Sequence, residues 1–199
     1  MLLAIDSATA ACSAALIDGA RILGERNERV GRGHAERLLP MIAELLDGRR
    51  PDGILVDCGP GSFTGVRVGL AAAHGLAIGW GIPVAGFSSL AALAAACGAA
   101  QVAAALEGGH GELFVQSFGG DPLAPLDALR SLAPEAAAAA IEAPLVVGSG
   151  AEALVVARGF GEWREDLPRA ADARLLPQSL RSLAARPIYG RAPDARTMA

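Results

Sequence analysis

The sequence predicts an α/β chain of two similar lobes, the second smaller than the first. Three observations predict it. Strand-like and helix-like stretches alternate along the 199 residues, the pattern of layered α/β folds. The chain opens with three strand-like runs in succession. After Gly98 a second strand-led pattern begins. Residues 1–98 are read as the N-terminal lobe and 99–199 as a smaller, partly irregular one.

Leu2 to Asp6 is a short apolar run ending in a carboxylate. Ala11 to Asp18 and Ala20 to Glu28 follow, joined at Asp18-Gly19, a hairpin signal between strand-like runs. Gly31-Arg32-Gly33 is a loop. Leu38, Leu39, Met41, Ile42, Leu45 and Leu46 then recur at helical spacing and cover an arc of roughly 160°. Pro40 cannot bond back to the Glu36 carbonyl, which predicts a kink or a restart there. Gly48 closes this helix, and Ile54 to Cys58 is a buried strand.

The loop Gly59-Pro60-Gly61-Ser62-Phe63-Thr64-Gly65 feeds a second helix running to about Trp80. Gly65, Gly69, Ala73 and Ala77 place a small residue at every fourth position, where another backbone can approach closely. Pro83 to Ala85 is a short strand, and Ser88 or Ser89 caps a third helix to about Cys97. In the second lobe, Gln101 to Glu107 and Glu112 to Phe118 read as strands and Asp121 to Pro134 as irregular. Glu135 to Ile141 reads as a helix, Leu145 to Gly148 as a strand, and Glu152 to Arg158 and Gln178 to Ala185 as helices. The last residues read as frayed.

Composition narrows the function. Hydrophobic residues make up 52% and charged residues 19%, enough for a packed core. The net charge of −4 argues against a non-specific nucleic-acid coat. All 17 basic residues are Arg. With no Lys there is no Schiff-base Lys, no Walker A loop and no Lys general base. Cys12, Cys58 and Cys97 are odd in number and widely spaced, as expected of free thiols in a reducing compartment. The N-terminus lacks a signal-peptide pattern. The apolar stretch from Val66 to Ile82 carries Arg67, His74 and glycines, and falls short of a membrane span. A soluble cytoplasmic protein with no membrane contact is expected.

Three constellations suggest a nucleotide. Asp6-Ser7-Ala8-Thr9 is a carboxylate at a strand end followed by hydroxyls, a turn that can cradle a magnesium-bound phosphate. An Asx or Ser/Thr turn that merely caps the strand fits it as well. Glu107-Gly108-Gly109-His110-Gly111-Glu112 repeats the arrangement, or is an ordinary glycine turn. Gly148-Ser149-Gly150 ends a strand before a helix, either as a corner or as a seat for a flat ligand such as adenosine. Asp6, Ser7, Thr9, Glu107, Gly148, Ser149 and Gly150 are thus the candidate nucleotide-binding residues. Their order matches the phosphate, phosphate and adenosine elements of actin-like ATPase folds. Arg67, in the helix opened by the glycine-rich loop, is the candidate anion contact. No metal site is expected, because no two of His34, His74 and His110 have ligand spacing. No catalytic residue can be assigned either, since no nucleophile motif occurs.

The run Gly59-Pro60-Gly61-Ser62-Phe63-Thr64-Gly65-Val66-Arg67, with Gly69, closely resembles the signature of the TsaB (YeaZ) family. Ala4-Ile5-Asp6-Ser7-Ala8-Thr9 and Ala11 to Leu16 resemble its N-terminal hairpin. His34, Arg37, Leu38, Leu39 and Pro40 resemble its first helix. Gly111-Glu112, Val147 to Gly150, and Pro187-Ile188-Tyr189 with Arg191 fit its later motifs. The match is specific through about Leu93 and patchy after it. Two positions depart from related patterns: Ala8 stands where nucleotide-binding folds place Gly, and Glu107-Gly108-Gly109 replaces Asp-Ala-Arg.

The resemblance implies the two-lobed actin/hexokinase/heat-shock ATPase-like (ribonuclease H-like) fold. It also implies a non-catalytic scaffold subunit in forming N6-threonylcarbamoyladenosine at tRNA position 37. Such a subunit pairs with a TsaD-like catalytic subunit, works with a TsaE-like ATPase, and forms a homodimer when alone. It meets tRNA only through the complex. It has no intrinsic cofactor, although ATP or ADP with magnesium can sit at the complex junction. The expected partner face combines the apolar arc of the first helix with the small-residue stripe of the second: His34, Leu38, Met41, Ile42, Leu45, Gly65, Val66, Gly69, Leu70 and Ala73. On that reading Gly69→Trp disrupts assembly and spares the fold. The competing reading is a stand-alone ATP-dependent phosphotransferase of the same fold. A peptidase is the third.

Overall fold

A computed structural model describes residues 1–31 and 33–190. Arg32 of the first loop, Arg191 of the C-terminal motif and the tail read as frayed lie outside the described residues.

The first sheet comprises β1 (Leu2–Asp6), β2 (Ala11–Asp18), β3 (Arg21–Arg29), β4 (Gly53–Asp57) and β5 (Val84–Phe87) in the order β3-β2-β1-β4-β5. The β1–β2 and β2–β3 pairs are antiparallel, and β1–β4 and β4–β5 are parallel. Gly19 turns the β2–β3 hairpin at φ +57°, a left-handed value that glycine takes at little cost. Between these strands run α1 (His34–Leu46) and α2 (Phe63–Trp80), and α3 (Ser89–Cys97) follows β5.

The second sheet starts at Gln101 and repeats the plan. Its strands are β6 (Gln101–Glu107), β7 (Leu113–Gly119), β8 (Ala124–Pro125), β9 (Arg130–Leu132), β10 (Leu145–Val147) and β11 (Glu162–Arg164). The order is β11-β10-β6-β7-β8, with β9 also on β7. As in the first sheet, an antiparallel hairpin flanks one side of the central strand and parallel strands the other. The two helices here are α4 (Pro134–Ala140) and α5 (Ala151–Arg158).

Side-chain alternation stacks these elements in five layers. Leu3 and Ile5 of β1 face a core closed by α1 and α2, while Ala4 faces a second core shared with α3. On β6, Val102, Ala104 and Leu106 meet that shared core, whereas Ala103 and Ala105 meet α4 and α5. Leu90, Ala91, Ala92, Leu93 and Ala94 are all buried, so α3 is apolar around its circumference, as a helix between two sheets must be. Its alanines keep that middle layer thin.

Several expectations are corrected. α1 runs through Pro40 as one helix and does not restart there; Pro40 is exposed, so the bond lost at the Glu36 carbonyl falls on the solvent side. Ser88 stands at the N-cap of α3 without a capping bond, and Ser89 donates to Asp57 instead. The stretch 121–134 contains β8 and β9. The helix expected from Gln178 to Ala185 is only a 3-10 turn, Gln178–Leu180. The next residues are drawn onto β5, where Gly86 and Leu183 exchange backbone bonds of 2.7 and 3.0 Å. A 3-10 segment, Ala170–Leu175, lies against the first sheet and α3, with the Ala170 N–H donating to Ser13 Oγ at 2.9 Å. Residues 170–188 were expected in the second lobe and return to the first, where they fill uncovered sheet surface.

The apolar arc of α1 is spent inside the chain. Leu38 and Met41 are fully buried, and Ile42 and Leu45 nearly so. Leu38→Ala is therefore expected to cost about 2–5 kcal/mol in urea unfolding. A cost below about 0.5 kcal/mol would return this face to the surface.

Candidate functional site

A cleft of about 980 Å³ opens between the lobes. It is lined by the turn after β1, the Gly59–Gly65 loop, the turn after β6, Ser149 and the segment Pro187 to Gly190. The first two elements clamp each other. Ser62 N–H donates to the Ala8 carbonyl at 2.7 Å, and Ser7 Oγ donates to the Gly65 carbonyl at 2.9 Å. A Cβ on Gly61 would collide with the Ala8 carbonyl, and one on Gly65 with the Ser7 carbonyl. The glycines are there so that two backbones can touch. The Ser62 side chain accepts from Gly65 N–H at 3.2 Å and caps α2.

This contact corrects the phosphate-turn assignment. Asp6 and Ser7 are closed off beneath the loop and bond internally. Thr9 is half-buried beside the cleft; its hydroxyl accepts from Ala11 N–H at 3.2 Å and its carbonyl from His34 Nε2 at 2.8 Å. His34 is thus a buried brace between α1 and the hairpin rather than a partner residue.

The second-lobe elements divide in the same way. Glu107 and Ser149 face the cleft, with Glu107 N–H donating to Ser149 Oγ at 3.1 Å. Gly148 and Gly150 are buried against β6 instead. Gly148 sits at φ +121°, where a Cβ would strike the Ala105 carbonyl, and Gly150 N–H donates to that carbonyl at 3.0 Å. These glycines seat a strand–helix corner on its neighbour, and no flat ligand is needed to explain them.

Arg67 is already engaged. Its guanidinium stacks on Phe63, donates to the Phe63 carbonyl at 3.2 Å and donates to Tyr189 Oη at 2.8 Å. It ties the C-terminal segment to the start of α2. The Phe63/Arg67 spacing of one helical turn was a signal the anion reading passed over. Arg29 and Phe114 also stand on the cleft wall and no motif marks them, whereas His110 and Tyr189 belong to the Glu107–Glu112 turn and the Pro187-Ile188-Tyr189 motif.

Neither buried thiol is activated. Burial pushes the Cys12 thiol up to about 11 and the Cys58 thiol up to about 12, so both are protonated at neutral pH and poor nucleophiles. Among the described residues, no group of three His, Cys, Asp or Glu side chains converges as a metal-binding set. No helix there is long and apolar enough to cross a membrane.

The expected partner face points inward. Gly65, Val66, Gly69, Leu70 and Ala73 of α2 are buried on the first sheet, beside Leu38, Met41, Ile42 and Leu45 of α1. A Cβ on Gly69 would lie 2.7 Å from Ser7 Oγ, so Gly69→Trp would damage the fold itself. The outward face is a different set. Leu39 is 50%, Phe63 68% and Ile78 83% exposed, with Ala71, Gly75 and Gly79 exposed between them.

Known proteins match this arrangement. The profile of the family described as TsaD, tRNA N6-adenosine threonylcarbamoyltransferase, matches residues 24–147. The tRNA threonylcarbamoyladenosine biosynthesis protein TsaB of Haemophilus influenzae is 46% identical over 103 residues, covering 48% of this chain and 42% of that protein. The protein of the same name from Escherichia coli is 38% identical over 122 residues, covering 57% and 52%. The chain thus spans about half the length of these curated relatives. Two solved structures from Pseudomonas aeruginosa match almost end to end at 31% identity. One, described as an uncharacterized protein with similarity to peptidase YEAZ, has a TM-score of 0.80 and covers 96% of this chain and 99% of that one. The other, YeaZ, has a TM-score of 0.78 and covers 94% and 98%. With the fold, the Gly59–Gly65 clamp and the sequence in agreement, the chain belongs to the TsaB (YeaZ) family.

Proposed function

We propose that this chain is a non-catalytic subunit of the machinery that forms N6-threonylcarbamoyladenosine at tRNA position 37. It pairs with a TsaD-like catalytic subunit through the outward faces of α1 and α2. The observation that carries this reading is that α1 and α2 leave Leu39, Phe63 and Ile78 exposed, along with the small residues Ala71 and Gly75 of α2. Small residues there let a partner helix approach, and the larger ones supply the buried contacts of an interface. The same face pairs two copies when the partner is absent. A TsaE-like ATPase joins the paired complex in the cytoplasm, with ATP or ADP and magnesium at the junction, and tRNA meets the complex rather than this chain alone. The closed turn at Asp6 and Ser7 counts against a stand-alone phosphotransferase, which must open that turn to phosphate.

Reconstitution tests the proposal. TsaD-type and TsaE-type proteins, the activated threonylcarbamoyl donor, ATP and tRNA are mixed with and without this chain, and modified nucleoside is measured by mass spectrometry. The expected result is modification that depends on the chain, and none from the chain with donor and tRNA alone. Equal modification without it would overturn the scaffold role.

A further inference from the structure

Asp6 and Asp57 stand side by side at the ends of β1 and β4, whose parallel register places Ile5 beside Val56. Both carboxyls are buried, at 0% and 1% exposure. Asp6 Oδ1 accepts the Ala8 N–H at 2.8 Å. Asp57 Oδ1 accepts two donors, Gly59 N–H at 2.7 Å and Ser89 Oγ at 2.8 Å. The remaining oxygen of each, Oδ2, is buried with no donor. Two ionised carboxylates cannot share such a site without a large electrostatic cost, whereas one proton between them satisfies both orphan oxygens.

We propose that Asp6 and Asp57 share a single proton at neutral pH, forming a latch that ties the β1 turn to the Gly59–Gly65 loop and weakens when the proton leaves. The proton belongs on Asp6, because Asp57 already holds two donors that favour its charge. Each carboxyl also orients its own turn through Oδ1, so the latch sets the geometry beneath the cleft and at the start of α2.

The surrounding charges favour retention of the proton. From the segment Ala170–Leu175, Asp172 adds a negative field at Asp6, and its own charge is paired with Arg169 and Arg174 at 3.1 and 3.2 Å. β2 contributes the Cys12 thiol, and Cys58 follows Asp57; both are neutral. Ser89 is the α3 group that faces Asp57. The basic groups of the neighbouring helices are committed elsewhere: Arg67 to Tyr189, His74 to the Ala185 carbonyl and His34 to the Thr9 carbonyl. Burial, then the Asp57 charge, holds Asp6 well above the usual carboxylate range, and burial pushes Asp57 up to about 6.

The sign follows from proton counts. Both values lie above the ordinary 3.8, so the folded chain binds more protons than the unfolded one. Stability from this pair is fully present below about pH 4 and is lost as pH rises through about 6 and beyond. Glu28 and Glu44, which Arg37 holds below the usual range, act in the opposite sense and at lower pH.

Urea unfolding of the purified chain between pH 5 and 8.5 tests the latch. The Asp57 titration alone should lower the folding equilibrium constant by about 10-fold over that range. Asp6→Asn puts an amide N–H where the shared proton sits. It should keep the Asp57 step near pH 6, remove the further loss of stability that release of the Asp6 proton causes above it, and exceed the parent chain in stability at pH 8.5. Parallel profiles would overturn the proposal, as would stabilisation of the parent chain by magnesium at pH 8.5, which would make the pair a cation site. If Asp6→Asn fails to fold, infrared spectroscopy of the parent chain decides. A protonated-carboxyl band present at pH 7 and lost on further increase of pH supports the latch, and its absence at pH 7 overturns it. The chain is tested alone, so the result does not depend on the proposed partner.

Discussion

Gly65→Ala is expected to destabilise the chain by about 3 kcal/mol or more. For a chain of this size that lowers the melting temperature by roughly 6–12 °C. The added methyl would lie on the Ser7 carbonyl oxygen, and neither side can yield easily because both are backbone. β1 would have to separate from α2, breaking the Ser7–Gly65 and Ser62–Ala8 bonds together. Gly75→Ala, ten residues along the same helix, should do the reverse. Open space surrounds that position, and Ala is favoured over Gly inside a helix by about 1 kcal/mol. Thermal melts of both variants check the pair. A Gly65→Ala chain as stable as its parent would mean that the loop does not clamp the turn.

Ile78→Arg should leave the fold intact and remove pairing. Ile78 is 83% exposed, so its replacement should change stability by no more than about 0.5 kcal/mol. At the centre of a helix–helix interface, a buried unpaired charge costs about 2 kcal/mol or more, roughly 30-fold or greater in dissociation constant. Melting curves and titration calorimetry against the TsaD-type protein separate the two effects. Unchanged affinity would place the partner elsewhere on the surface.

Much of the first lobe was legible because its signals are local. Asp18-Gly19 announces the hairpin, and the spacing from Leu38 to Leu46 announces α1. What periodicity does not reveal is which surface an apolar stripe meets. The arc of Leu38, Met41, Ile42 and Leu45 was read as a partner face, yet the widest stripe of a helix goes to the core first. The outward face is marked only by apolar residues standing apart, Leu39 on α1 and Phe63 and Ile78 on α2. On α2 small residues occur on both faces, so Gly65-Gly69-Ala73 and Ala71-Gly75-Gly79 look alike in sequence while one meets the sheet and the other solvent.

The site is hidden in the sequence for a related reason. Asp6-Ser7 and the Gly59–Gly65 loop each look like an anion cradle alone; brought together, each fills the other. β8, β9 and β11, at two or three residues each, are too short to carry a periodic signal. The Ala170–Leu175 segment depends on Ser13, a partner from the far end of the chain. The Asp6–Asp57 pair likewise exists only once β1 and β4 are paired.

Pairing with a TsaD-type subunit through the outward face of α1 and α2 can be tested directly. The direct measurement is mass by light scattering after size exclusion, for an equimolar mixture of the chain with the TsaD-type protein of its own organism. The account predicts a one-to-one complex that replaces any self-dimer and is absent with Ile78→Arg. Two separate species from the parent mixture, with or without ATP and magnesium, would contradict it.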